Sequence, residues 1–553
     1  MVIGGGPVLA AMSARTPWWT IAIVASVAMA ATVLRVHSRT PVEWLVIWGG
    51  YRFGRAARVT RRAAMAEVID VETAAGPCGI RVGDTVLVAM IQLVPNLDLP
   101  TIITDQTVYT EDTLPIALLL PLLEQYGITV DIDIVTTGRR ARSNGDYSML
   151  YDQLIGSHPV IGDRLTWLVV RLDQHRNLET LTRRGSCEVT APRALAAATH
   201  RIATRLREHG ILARSLPAAA VHEATLLLHT GVRLPDLREE WDHLAMGNSG
   251  RQVASFLVDW TRLGDAVLDD CWSWNRGWTT VVIGLSSGEH GPRGLVRFLG
   301  PEPEGPLPGY LRPLIGRQSD AFLATLPGER SIRELPRADR GGDLAPAEVL
   351  AELVVPIGPN GQILGAISGQ PQHTLALPLF DPVPYHPRRR SVDIRAALPV
   401  AQQIVLRAMV VGASVRVHSS RPHAWIPLVS AVGDPLSLRL AADPGDLQED
   451  PDTPPATLEV FDRMSPRGSG ANATVTIGDP GTRPRRSADL AIEQVDEATV
   501  EIGIPMRTVR VDLIEPRGET RYFEQPPGLP IAGPDSAAVL PTPVGSPASV
   551  PNP

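Results

Sequence analysis

The chain has 553 residues, 44% of them hydrophobic, with a net charge of -7 and a pI near 6.0. That length is too great for one core, the apolar content is too high for a disordered chain, and the acidic balance gives no general case for nucleic acid. All 52 basic residues are arginine, which excludes a P-loop lysine for phosphates and a lysine for a Schiff base.

Residues 1-35 read as a membrane anchor. Pro17 to Leu34 carries no charged residue, and a run of that length is near the lower limit for a helix crossing a bilayer. Trp18, Trp19, Leu34 and Arg35 mark its two ends. Arginines at 35, 39, 52, 55, 58, 61 and 62 follow it, and such a flank predicts that the bulk of the chain faces the cytoplasm. Ala28-Met29-Ala30 resembles a signal-peptide cleavage site, but the arginines straight after the apolar run argue against export.

Residues 36-65 read as a basic, amphipathic, membrane-proximal segment. Val42 to Tyr51 is too short to span, and Trp44, Trp48 and Tyr51 favour the headgroup region. A core helix is the alternative. Tyr51, Arg52, Arg55, Arg58, Arg61 and Arg62 are the candidate membrane-proximal contact, suited to anionic lipid.

Residues 66-235 read as an α/β domain. Gly79 to Val94 predicts a β-hairpin turning at Gly83-Asp84. Asp112-Thr113 with Pro115 predicts a helix start, with Ile116 to Tyr126 as a body shortened or kinked by Pro121. Ile128 to Val135 alternates as a half-buried strand, and Leu165 to Leu172 predicts a buried one. Pro192 to His209 predicts a helix ended by Gly210. A second α/β part covers 236-440. There, Trp278 to Ile283 predicts a strand and Val354 to Ile367 a hairpin about Pro359-Asn360-Gly361. Thr374 to Leu379 predicts a strand, Ile394 to Val411 a helix, and Ala413 to His418 a further strand. Residues 441-524 read as a linker, rich in Pro, Asp and Gly up to Gly470, and then a small β unit with strands at Ala473 to Ile477 and Thr508 to Ile514. Residues 525-553 are proline-rich and predicted disordered. The order of strands and helices suggests an α/β layer architecture.

Few motifs carry chemistry. Asp131-Ile132-Asp133 is a DxD, the pattern that holds a divalent cation against a nucleoside diphosphate in glycosyltransferases; it is equally the polar face of a strand. Gly284-Leu285-Ser286-Ser287-Gly288 matches GxSxG, with His290 nearby, but Gly291, Pro292 and Gly294 oppose the helix that a nucleophile elbow needs. Asp269-Asp270-Cys271 with Trp272, Trp274 and Trp278 reads as a core or a protein contact. Arg388-Arg389-Arg390 reads as a solvated loop or a contact for an acidic partner. Cys78, Cys187 and Cys271 are far apart and odd in number, so they form no disulfide framework and no zinc pair, which suits a reducing compartment. No HExxH or GxGxxG occurs, and no cofactor is expected.

From Tyr151 onward a larger pattern emerges. Tyr151-Asp152-Gln153-Leu154-Ile155-Gly156, Pro159, the run from Arg164 to Asp173 (RLTWLVVRLD) and Asn177 resemble the central signature of the EccE family, a membrane component of the type VII (ESX) secretion system of mycobacteria and relatives. Arg184-Gly185, Arg193, Thr199 and Arg205 continue the likeness. So do Ile404 to Ala408, Gly412-Ala413, Arg421-Pro422 and Trp425. The resemblance implies two N-terminal spans, of which this sequence clearly displays one; Val2 to Met12 fits the tail of a first. It implies a degenerate glycosyltransferase-like α/β fold without established catalysis. It also implies partners: EccB, the EccC ATPase, EccD and the mycosin protease. The leading expectation is a non-enzymatic structural subunit at the cell inner membrane. Its rivals are a membrane-tethered glycosyltransferase using Asp131 and Asp133, and a serine hydrolase using Ser286.

Overall fold

The computed structural model describes residues 45, 48, 49 and 67–523, apart from 105–106, 143–144, 248–249, 264–267, 275–276, 289–290, 303–304, 337–351, 442–454, 484, 486, 506 and 516–517. The expected span at Pro17 to Leu34, all of its marker residues, the arginines through Arg62 and the proline-rich tail lie outside the described residues. Among the described residues, no helix is long and apolar enough to cross a membrane.

Two twelve-stranded sheets organise the described residues. In the first, Val86–Leu93, Asp163–Asp173, Asp131–Arg139, Trp278–Leu285 and Arg293–Gly300 stand side by side, each antiparallel to its neighbour. Their near-continuous apolar runs imply burial on both faces. One face, carrying Ile134, Leu168, Ile283 and Phe298, packs into a core shared with the helix Cys187–Glu208. The other, carrying Val135, Trp167 and Val282, packs against residues of Ala218–Leu228 and Gln318–Ala324.

The second sheet changes character along its width. Val415–Ser419, Leu458–Asp462, Ala473–Gly478, Arg390–Arg395 and Leu490–Asp496 run parallel. From Leu490–Asp496 outward the pairing is antiparallel, ending on Thr101–Ile103 and Val108–Tyr109. These last two strands come from the chain segment between strands of the first sheet, so the two sheets interlock. The helix Leu398–Val410 joins two of the parallel strands. All but its first two residues are buried, as expected of a helix that is apolar all round.

Several expected elements form as read. The hairpin about Gly83-Asp84 joins Gly76–Val82 to Val86–Leu93. The strands expected at Ile128 to Val135 and Leu165 to Leu172 lie within Ile128–Thr129, Asp131–Arg139 and Asp163–Asp173. The strands expected near the end of the chain form within Ala473–Gly478 and Arg507–Asp512, both inside the second sheet.

Others differ. Ile116 to Tyr126 is two single 3-10 turns, Ile116–Leu118 and Leu120–Leu122, followed by the strand Glu124–Gln125. Pro121 has no N–H to give and its ring would strike the carbonyl four residues back, so an α-helix cannot continue through it. The backbone instead reverses at Tyr126-Gly127, both with positive φ, to pair with Ile128–Thr129. Val354 to Ile367 is not a hairpin. Val354–Pro356 pairs with Thr113–Pro115, whereas Gln362–Ile367 pairs with Gln370–Leu377. The cause is Asn360, whose side chain accepts from Ile161 N at 2.8 Å and whose own N–H donates to Ile161 O at 2.8 Å. That bonding ties the corner to Ile161 rather than to a partner strand. Gly361 follows with φ +80, and a Cβ there would meet Pro378 N at 2.1 Å, so only glycine fits. Ile394 belongs to the strand Arg390–Arg395, with the helix starting at Leu398. Leu458–Asp462, expected within a loop, is a buried inner strand.

Candidate functional site

Asp131 and Asp133 alternate outward on one face of Asp131–Arg139, as the sequence implied, but three guanidinium groups close them. Arg171 lies on the neighbouring strand, one cross-strand step away. It donates through Nη1 to Asp133 Oδ2, through Nη2 to Leu326 O at 3.0 Å and through Nε to Gly328 O at 3.1 Å. Arg176 and Arg333 reach the two oxygens of Asp131 at 3.1 and 3.3 Å. Asp133 is 2% exposed, and burial pushes its carboxyl up while Arg171 pulls the other way. The carboxylate lone pairs that a divalent cation would need are engaged by cations already.

Ser286 follows the strand Trp278–Leu285, and the chain returns as Arg293–Gly300 antiparallel to it. The serine therefore sits in a β-hairpin loop. A nucleophile elbow is a strand-to-helix turn, so the motif lacks its context. Ser287 Oγ donates to the Glu124 carboxylate, and His290 lies outside the described residues. In the tryptophan cluster, Cys271 and Trp272 are buried, and burial pushes the Cys271 thiol well up. Trp274 stands edge-on to Phe256 and Phe298, with ring centroids at 5.9 and 4.7 Å. These side chains are core. The arginine triplet is not a uniform solvated loop, because Arg390 is buried and donates to Leu97 O at 2.8 Å and Asp98 at 3.1 Å.

The signature residues are spent inside the fold. Tyr151 accepts from Ile363 N at 2.9 Å through its hydroxyl, which links the helix Asp146–Ile155 to the second sheet. Gly156 ends that helix at φ +61, and its carbonyl accepts from Arg140. Asn177 accepts from Thr129 N at 2.7 Å and donates to Thr129 O and Asp173 O at 2.8 Å, closing the turn after Asp163–Asp173. Arg421 forks onto Asp462 at 2.9 and 2.8 Å, and Trp425 Nε1 donates to the same carboxylate at 2.9 Å. Arg407, deep in an apolar helix, meets Glu519 at 3.0 Å, and Gln403 and Tyr147 donate to that carboxylate as well. Sequence reading missed this knot. An arginine inside the run Ile404-Val405-Leu406-Arg407-Ala408 was a usable signal, since a buried charge requires a partner.

A second missed feature is a cavity of about 500 Å³. Strand register builds one wall: Thr136 opposes Val281 and Ile134 opposes Ile283, all four on one face. Arg164 sits two residues before Thr166, the cross-strand partner of Thr136, and so points to the same face. It faces Gly138 across the strands, a position where a Cβ would meet Asp163 O at 2.4 Å. Trp272 and the strand Val354–Pro356 complete the lining, with exposed Tyr109 and Glu111 at the edge. Arg164 is 2% exposed, yet its Nε and Nη1 have no hydrogen-bond partner among the described residues. The face of Trp272 lies 5.4 Å from the guanidinium carbon. Burial pushes the Arg164 pKa down, against the pull of Asp269.

Comparison with known proteins fits the signature. Residues 160–258 match a family model described as "Putative type VII ESX secretion system translocon, EccE". The chain is 26% identical over 546 residues to the ESX-2 secretion system protein EccE2 of Mycobacterium tuberculosis, covering 92% of this chain and 95% of that protein. It is 30% identical over 197 residues to the ESX-1 secretion system protein EccE1 of the same species, 35% of this chain and 42% of that protein. It is 28% identical over 229 residues to the ESX-5 secretion system protein EccE5 of Mycobacterium marinum, 38% of this chain and 55% of that protein. The family-model match covers Arg164 to Asp173 and Asn177, which the sequence singled out, and the chain is similar to EccE proteins over most of its length.

Proposed function

We propose that this chain is a non-enzymatic structural subunit of a type VII (ESX) secretion membrane complex that supports assembly and protein export. The observation that carries the reading is the use made of its polar signature. Tyr151, Arg171, Asn177, Arg407 and Arg421 bond to backbone and carboxylates of their own chain, as residues do when they fix a shape. The two motifs that offered catalysis are closed by arginines or lack their turn. The relatives named above are all components of ESX systems, which supports membership of a multi-subunit assembly. The family resemblance implies EccB, EccC, EccD and mycosin as neighbours. The soluble part is read as a layered α/β body.

Residues 17–34 would hold the chain in the inner membrane with its bulk in the cytoplasm. Leu45 and Trp48 support a membrane-proximal helix after that span. Both are helical, three residues apart, and 70% and 52% exposed, as suits an apolar stripe meeting lipid.

The test is a pull-down from mildly solubilised membranes with a tag after Pro553, read by mass spectrometry. Recovery of EccB, EccC and EccD in one large complex is the expected result. Recovery of the chain alone, where other membrane complexes stay intact, overturns the proposal. A titration with UDP and Mn²⁺ addresses the glycosyltransferase reading directly; heat that vanishes in Asp131→Ala would restore it.

A further inference from the structure

The cavity beside Arg164 has the chemistry of a binding site, and the scaffold reading makes no use of it. Its volume of about 500 Å³ falls in the range of pockets that enclose a small molecule. Branched aliphatic side chains, Ile134, Val281 and Ile283 among them, form about half of its lining, with the Trp272 ring and three threonines. Arg164 sits in that wall, 2% exposed and with Nε and Nη1 unbonded among the described residues. Proteins rarely leave a buried guanidinium unpaired, because a charge out of water costs several kcal/mol unless hydrogen bonds and an opposite charge offset it. Arg407 and Arg171, buried to the same degree, are bonded on all sides, whereas Arg164 leaves two buried guanidinium nitrogens without a hydrogen bond among the described residues.

We infer that the cavity binds a carboxylate-headed acyl chain, its head on the Arg164 guanidinium and its apolar body against Ile134, Val281, Ile283 and Trp272. A dianionic phosphate would also face Asp269 and Glu111, which line the same cavity, so a monoanion fits better. Aliphatic walls favour a flexible hydrocarbon over a polar body. A carboxylate would give the guanidinium charge-assisted hydrogen bonds, the strong kind.

The test uses the full chain in lipid nanodiscs and cis-parinaric acid, a fluorescent acyl carboxylate. Its methyl ester serves as the neutral probe, and nanodiscs without the protein give the background. The expected result is saturable binding of the acid at least tenfold tighter than that of the ester, with that preference lost in Arg164→Gln. Val281→Phe, which fills the cavity and leaves Arg164 in place, should abolish saturable binding of both probes. Equal binding of acid and ester to the unaltered chain overturns the inference without any variant. So does an acid preference unchanged in Arg164→Gln, which would place the carboxylate head away from Arg164. Absence of saturable binding to the unaltered chain overturns it as well.

Discussion

Arg407 and Arg164 are buried to nearly the same degree, 1% and 2% exposed, yet their surroundings are opposite. Around Arg407 every donor direction is met. Nε and Nη2 reach Glu519 at 3.3 and 3.0 Å and Nη1 reaches Ile363 O at 3.1 Å, while Ile514 O takes a further bond. Around Arg164 there is a cavity, one aromatic face and carboxylates that make no direct contact. The difference teaches where each charge is used. The first is internal and ties Leu398–Val410 to the segment at Glu519, more than a hundred residues along the chain. The second lies on a sheet face beside the cavity, with two nitrogens unbonded among the described residues.

The largest expected effect lies at the first site. Glu519→Ala leaves Arg407 buried without its anion, and such losses cost about 3–5 kcal/mol. Urea unfolding should show that drop. A loss under about 1 kcal/mol would mean that Arg407 finds water on its own, and the comparison would collapse. Asp133→Asn is next. Arg171 keeps Leu326 O and Gly328 O, so a cost of about 2–3 kcal/mol is expected from the lost charge-assisted bond. The same variant bears on the glycosyltransferase reading, since a structural Asp133 lowers stability without abolishing any nucleotide binding.

Arg164→Met sharpens the contrast by sign. Removing an unpaired buried charge while keeping most of its volume should leave stability within about 1 kcal/mol of the unaltered chain, or raise it. Arg407→Met, the same chemical change, should be strongly destabilising, because Glu519 then keeps only Tyr147 and Gln403. Thermal unfolding of the two variants side by side decides. If Arg164→Met falls as far as Arg407→Met, the guanidinium is structural. A stable Arg164→Met chain would instead fit the pattern of binding sites kept at a cost in stability.

Neither arrangement could be read in full from the sequence. Strands were legible where apolar runs or alternation spoke for themselves, as at Leu165 to Leu172. The helix expected at Ile116 to Tyr126 failed because two prolines and a Tyr-Gly turn outweighed a helix-like composition. Asn360 was legible as a turn residue, but not as the anchor that sends the chain from its pairing with Thr113–Pro115 into the second sheet. The partner of Arg171 sits 38 residues away and that of Arg407 112 residues away. Spacing on one element cannot reveal contacts that only the sheet order creates. The empty side of Arg164 was the least legible, since a cavity is a property of what several distant segments fail to fill.

The smallest effects are pH-dependent and should run in opposite directions. Burial pushes the Asp112 carboxyl from an ordinary 3.8 up to about 6, although Asn96 N donates to it at 3.2 Å. The folded chain thus prefers Asp112 protonated. Its contribution is fully present below about pH 3.8 and is lost as pH rises through about 6. Asp462 behaves the other way. Burial alone would raise it, but hydrogen bonds from Arg421, Ser419 and Trp425 outweigh that and hold the carboxyl below its ordinary value. Its contribution is present above the ordinary carboxylate pKa and is lost on acidification. Asp112→Asn should therefore gain stability near pH 7.5 relative to pH 4, on the order of 1 kcal/mol. Asp462→Asn should lose stability near neutrality and flatten the acid limb. Urea midpoints across pH 3 to 8 measure both. An Asp112→Asn profile parallel to that of the unaltered chain would mean that its carboxyl is solvated in the folded chain.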